Sequence, residues 1–206
     1  MALTVHQTYQ KNDTLLTLWE ATETTNELLV LAELTAIEKN IFSRIHLEKR
    51  QREWLCMKIL LRRFAADRML SNLSNGKPVI TGGRHISVSH CGNIVGVIFS
   101  DHNLGMDIQT PNEKLFHIAS KFCNVSELKA ASNNDHALEI LTMIWSAKEA
   151  VFKFFGERVH FAREMSMQPF QVKDQSLKVD YRGVHGARTF QLAHMKLNDF
   201  HIIHTT

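Results

Sequence analysis

Residues 135–155 repeat apolar side chains at helical intervals, and one carboxylate falls on the apolar stripe. Leu138, Leu141, Trp145, Glu149 and Phe152 follow spacings of 3, 4, 4 and 3, which puts all five on one side of an α-helix. A helix of this kind must be covered by a second layer. A carboxylate under that layer is costly unless it is paired or coordinates a metal. Lys153, at i+4 from Glu149, offers the plainer alternative of an exposed ion pair worth about 0.3–0.5 kcal/mol. The pattern leaves both readings open.

The rest of the chain supplies strands and further helices. Leu15–Trp19 reads as a short strand, Glu27–Arg44 as a helix, and His46–Leu70 as a second helix with Trp54, Met57, Leu61 and Phe64 on one apolar stripe. Leu55 and Ile59 interrupt its polar face and predict burial on more than one side. Asn75-Gly76 and Pro78 punctuate. Ile86–His90, Ile94–Phe99 and Leu104–Gln109 read as strands separated by turns, and 112–131 and 135–155 as helices. Phe170–Val172, Leu177–Tyr181, Thr189–Leu192 and His201–His204 are short β-rich runs. The order predicts an α+β fold, divided near residue 103 into halves 1–103 and 104–206. No internal repeat shows by eye.

Composition narrows the class. The 206 residues hold 44% hydrophobic and 22% charged side chains, with only 9 Gly and 3 Pro, which excludes collagen-like and low-complexity chains. No run approaches the roughly 18 apolar residues of a membrane span. Met1–Gln10 lacks a secretory pattern, and Cys56, Cys91 and Cys123 are odd in number with no CxxC. They read as reduced thiols, which predicts a cytoplasmic protein without membrane association. Charge is uneven: residues 1–38 carry one Lys and six acids, net −5, whereas residues 44–68 carry eight basic residues and three acids, net +5. A basic segment of this kind predicts an anionic partner, against the blander reading of solvated helix faces.

The strand Gly105-Met106-Asp107-Ile108-Gln109 alternates so that Asp107 and Gln109 share a face beside Gly105. Asp is depleted in strands. A hard cation held by oxygens from this strand and a facing helix would explain it, with Asp107 and Glu149 giving the one or two carboxylates that Mg²⁺ takes. The plainer reading is an edge Asp in water. Gly76-Lys77-Pro78 and Ser87-Val88-Ser89-His90 add a lysine, a serine and a histidine suited to an anion, each weak alone.

In this order, these elements resemble the 4′-phosphopantetheinyl transferases, and in particular their longer, surfactin-type branch. The likeness rests on Gly76-Lys77-Pro78, Ser89-His90, Gly105-Met106-Asp107, Phe122 with Glu127, and Trp145-Ser146-Ala147-Lys148-Glu149-Ala150 followed by Lys153, over about residues 50–155. The resemblance implies two similar α+β halves, each a small, mainly antiparallel sheet packed with helices, with the site between them, in a monomer. It implies transfer of the phosphopantetheine arm of coenzyme A to a serine of an acidic acyl or peptidyl carrier protein, releasing 3′,5′-ADP. Asp107 and Glu149 would hold Mg²⁺, with Gln109 or a water in the third place, where the branch usually has an acid. Lys148 and Lys153 would neutralise phosphate charge. Lys77, Ser89 and His90, with Arg52 as a helper, would grip the adenosine and phosphate end. Glu149, Glu127 or a metal-bound water would take the serine proton. Two alternatives compete: a coenzyme A-binding relative without turnover, which Gln109 favours, and a nucleic-acid binder using the basic segment, which lacks any recognised signature.

Overall fold

The computed structural model describes residues 5–11, 13–65, 70–72, 77–82 and 84–206. The chain forms two units: residues Met1–Ser71 with Val79–Asp101, and residues Asn72–Pro78 with His102–Thr206. The predicted Asn75-Gly76 turn falls outside the described residues. Two short strands, β3 (Leu70–Asn72) and β4 (Pro78–Ile80), pair with each other.

The first unit contains β1 (Val5–Lys11), β2 (Thr14–Glu20), α1 (Thr25–Ala32), α2 (Ala36–Phe42), α3 (Glu48–Phe64), β5 (His85–Cys91) and β6 (Ile94–Ser100). Its antiparallel sheet has the order β1-β2-β6-β5. Every residue of β6 is buried, as a central strand covered on both faces requires. Leu55, Cys56, Ile59 and Leu60 of α3 pack with Leu28 and Ala32 of α1 and with Trp19, Val97 and Phe99 of the sheet. The core stripe of α3 is therefore one step round from the predicted one: Trp54, Met57 and Phe64 are only partly buried.

Two helical boundaries differ from expectation. The helix expected over Glu27–Arg44 is two, because Thr24 with Glu27 and Thr35 with Glu38 each close a reciprocal capping box, and Glu33 between them turns left-handed at φ 45°. Helix α3 stops at Phe64, and Leu70 instead opens β3. Much of the basic stretch is committed internally. Lys58 and Arg62 bind the two oxygens of Glu38 at 3.0 and 2.7 Å, and Arg62 also donates to the carbonyls of Ala32 and Glu33. These pairs clamp α1 and α2 to α3, so the segment's net charge overstates its reach toward a partner.

The second unit contains β7 (Met106–Gln109), α4 (Lys114–Phe122), α5 (Val125–Ser132), α6 (Ala137–Phe155), α7 (Phe161–Glu164), β8 (Met165–Met167), β9 (Ser176–Gly183), β10 (Gly186–Leu197) and β11 (Phe200–Thr205). Its antiparallel sheet has the order β7-β11-β10-β9-β8. Met143, Ile144, Ala147, Ala150 and Val151 of α6 form the centre of its core with Val179, Leu192 and Ile203 of the sheet. The helix expected over 112–131 is divided at Asn124, whose side chain caps α5. The β-rich run Phe170–Val172 is no strand. Gln171 and Asp174 bind each other there, side chain to amide and amide to carbonyl, and form a local turn.

The fold is mixed α+β, and the two units share a connectivity. In each, a strand leads into helices, three after β2 and four after β7, and later a hairpin whose last strand returns beside that strand: β2-β6-β5 and β7-β11-β10. Among the described residues no helix is long and apolar enough to cross a membrane.

Candidate active site

In the second unit, the closeness of β7 to α6 is set by a missing side chain. A Cβ on Gly105 would lie 2.0 Å from the carbonyl oxygen of Ala150 and 2.5 Å from the amide nitrogen of Phe154. Only glycine permits this main-chain approach. Thr205 of β11 holds the same residue from the other side: its hydroxyl accepts from the Gly105 amide and its amide donates to the Gly105 carbonyl, both at 3.0 Å. Two residues on, Asp107 is 4% exposed, and the Lys153 ammonium donates to its Oδ1 at 2.8 Å. The edge Asp in water is therefore not what forms. Nor is Lys153 simply an i+4 partner for Glu149, since its hydrogen bond goes to the strand.

Glu149, on the same helix, lies within the electrostatic reach of Asp107. Burial pushes its carboxyl up to about 7 from the ordinary 4.5; the like charge of Asp107 adds to the shift, and Lys153 opposes it. The ammonium thus bonds Asp107, and Glu149 is the carboxyl that burial and the like charge lead to hold its proton more tightly. Gln109 follows on the same strand, half-buried. Among the described residues no group of three or more His, Cys, Asp or Glu side chains is arranged to hold a metal. Asp107 and Glu149 offer two carboxylates, a number that could hold a Mg²⁺ ion if water and substrate oxygens completed its shell.

Lys148 does not stand where a phosphate-neutralising lysine must. It is fully buried, and its ammonium donates to Glu127 Oε2 and to the carbonyls of Phe122, Met165 and Phe161 at 2.7, 2.7, 3.0 and 3.3 Å. Burial lowers its pKa, and the Glu127 carboxylate opposes the shift. Three N–H groups facing four protein acceptors leave none for a ligand. Glu127 is equally engaged. Its Oε2 also accepts from the Asn124 amide and its Oε1 from the Met167 amide, and it is 6% exposed. Together they tie α6 to the starts of α5 and β8. Sequence reasoning missed this tie, because a buried ammonium held by main-chain carbonyls leaves no pattern along the chain.

Lys77 also belongs to this unit. Its half-buried ammonium donates to Asn103 Oδ1 at 2.8 Å and to the Phe154 carbonyl at 2.7 Å, at the C-terminal end of α6. Burial lowers its pKa, and the helix end favours the cation.

In the first unit, Ser89 of β5 is buried and His90 half-buried. Arg50 Nη1 lies 2.9 Å from His90 Nε2 and 3.0 Å from Glu53 Oε2. His90 Nδ1 is 3.2 Å from Glu53 Oε1. Arg52 donates from Nη2 to the Ala21 carbonyl at 2.6 Å. Its buried Nε and the buried Glu53 Oε1 have no hydrogen bond among the described residues. Both residues line a cavity of about 250 Å³ with Lys49 and Asn93. Arg50 and Glu53 were not among the expected site residues. None of the three cysteines is in a disulfide, and burial pushes the thiols of Cys56 and Cys123 up to about 12, so those two stay protonated and inert.

No curated protein matches the chain. The model of the 4′-phosphopantetheinyl transferase superfamily matches residues 103–203, a span that holds the glycine-spaced β7, the acid pair and Lys153. By that match the chain belongs to the 4′-phosphopantetheinyl transferase superfamily.

Proposed function

We propose that this chain transfers 4′-phosphopantetheine from coenzyme A to a serine hydroxyl of an acidic acyl or peptidyl carrier protein, with Mg²⁺ as cofactor. Superfamily membership supports a transferase of this kind. The observation that carries the finer reading is the meeting of Asp107 and Glu149 around Lys153, with one carboxyl held near neutrality. The like charge of Asp107 opposes ionisation of Glu149, and a divalent cation between the two would relieve that repulsion. Gln109 or a water would take the third protein-side position.

The serine oxygen attacks the phosphorus that bears the pantetheine arm, and the phosphoanhydride bond to 3′,5′-ADP breaks. Bound Mg²⁺ would neutralise charge on the diphosphate oxygens. Lys153, on the solvent-reaching side of Asp107, stabilises charge on the transferred phosphoryl group. Glu149 or a metal-bound water would take the serine proton, since Glu127 has its oxygens engaged by Lys148 and two amides. Lys148 and Glu127 keep the helix in register. His90, Ser89, Arg52 and Lys77 would contact the adenosine and phosphate end of coenzyme A.

The shared connectivity of the two units supports the longer, surfactin-type branch, acting as a monomer. A panel of apo carrier proteins incubated with coenzyme A and Mg²⁺ tests the reading by mass spectrometry. Gain of one phosphopantetheinyl group on a carrier serine is expected, and Asp107→Ala or Glu149→Ala should abolish it in folded protein. Binding of coenzyme A with no transfer to any carrier would instead identify a non-catalytic relative.

A further inference from the structure

The first unit holds a buried carboxylate for which the transfer reaction has no direct use. Glu53, on α3, is 8% exposed. Its Oε2 accepts from Arg50 Nη1 at 3.0 Å. Its buried Oε1 has no hydrogen bond among the described residues, with His90 Nδ1 at 3.2 Å and Lys49 Nζ at 3.9 Å. Such an acceptor is held at a cost unless a donor turns toward it.

The third side of this triangle bears on which ring nitrogen carries the histidine's proton. Arg50 Nη1 stands 2.9 Å from His90 Nε2. A guanidinium only donates, so Nε2 accepts, and the neutral ring carries its proton on Nδ1, the side of Glu53. In catalytic triads a carboxylate behind an imidazole fixes its tautomer and stabilises its charged form, and Glu53 Oε1, 3.2 Å from Nδ1, stands on the side such a carboxylate takes. Arg50 is an exposed residue on a flexible stem, so an arriving anion can draw it away from Nε2.

We infer that Glu53 is a positioning residue for His90, holding the Nδ1–H tautomer and supplying the counter-charge for a second proton, taken from solvent onto Nε2, when a phosphoryl oxygen of coenzyme A draws Arg50 aside. His90 then meets the phosphate as an imidazolium, and its bond to the anion is charge-assisted. The inference rests on the coenzyme A reading for the identity of the anion. The tautomer does not.

Nitrogen-15 spectra of histidine-labelled protein, with the His90 signals assigned through His90→Gln, test both parts. In the free protein the expected spectrum has a pyrrole-type Nδ1 and a pyridine-type Nε2. With saturating coenzyme A both nitrogens become pyrrole-type. Glu53→Gln keeps an acceptor but removes the charge. In that variant the imidazolium no longer forms on binding, and KM for coenzyme A rises about tenfold with kcat little changed. An Nε2–H tautomer in the free wild type overturns the inference. So does a folded Glu53→Gln protein that binds coenzyme A within about twofold of wild type. Should the wild type fail to bind coenzyme A at all, the transferase reading fails, and the free-protein spectrum alone then decides the role of Glu53. If Glu53→Gln fails to fold, the two wild-type spectra carry the decision.

Discussion

Lys153 on α6 reaches across to β7 and binds Asp107 Oδ1 at 2.8 Å, leaving Glu149, one turn earlier on its own helix, with a carboxyl pushed up to about 7 by burial and by Asp107. The lysine thus neutralises one acid of the pair. Replacing it with alanine should slow phosphopantetheinyl transfer while leaving the fold intact. Asp107 and Glu149 would then repel more strongly, so the Glu149 pKa should rise further. Steady-state kinetics beside a circular dichroism melt checks this, and an unchanged kcat would refute it.

The same pair has a pH signature. Between the ordinary 4.5 and about 7, the folded chain keeps a proton on Glu149 that the unfolded chain has released. Stability therefore falls as pH rises through that interval and levels off above it. A divalent cation must displace the same proton, so its affinity should climb by up to about tenfold per pH unit toward neutrality and then flatten. Calorimetric titration with Mg²⁺ or Mn²⁺ at several pH values reads this slope directly.

Lys148→Met separates a structural lysine from a phosphate ligand. It strands Glu127 in the core and should cost about 3–5 kcal/mol in denaturant unfolding. The double variant Lys148→Met with Glu127→Gln should recover part of that loss. A variant of full stability with impaired coenzyme A binding would return Lys148 to the ligand.

His194 and His201 form a second pH-sensitive element. Their rings stack, His194 Nε2 and His201 Nδ1 lie 3.0 Å apart, and the Asp174 carbonyl binds His194 Nδ1 at 2.6 Å. Burial, followed by the neighbouring ring, holds His201 down to about 4, while Glu139 pulls the other way. The unfolded chain takes up protons first, so stability should be full above the ordinary value of 6.5 and drain away as pH falls toward about 4. Urea midpoints across that range would show it, and His201→Phe should flatten the slope.

Glu38→Ala should loosen α1 and α2 from α3. Burial pushes the Glu38 carboxyl up, but the Thr35 amide and Lys58 outweigh it and hold it at about 2. Loss of this cap and its ion pairs should cost about 1–2 kcal/mol, with hydrogen exchange rising first in α2.

The nearness of Asp107 and Glu149 was legible only in part: strand alternation singled out Asp107, whereas most of the stripe that carries Glu149 is half-buried and the core of α6 lies beside it, on Met143, Ile144, Ala147, Ala150 and Val151. Asp107 and Glu149 each stood out as polar residues against an apolar rhythm. The two capping boxes, Thr24 with Glu27 and Thr35 with Glu38, were equally present as Thr-x-x-Glu spacings, yet the continuous hydrophobic period across 27–44 concealed the break. The tie of Lys148 to Glu127 and three carbonyls was not legible, since its partners come from separate segments and most of them are main chain. Arg50 and Glu53 were hidden for a related reason. Within a basic run they read as solvent-facing charges, and only the return of β5 brings His90 to them.

Gly105 works as a fixed spacer. Because main chain touches main chain there, the interval between the two carboxylates cannot widen without pulling a strand off its helix, nor narrow without collision. Were a cation to lodge there, as proposed, it would have to suit that spacing, so selection by ionic radius would be built into the backbone, and exchanging oxygen donors at residue 109 would alter how tightly a cation is held far more than which cation is accepted.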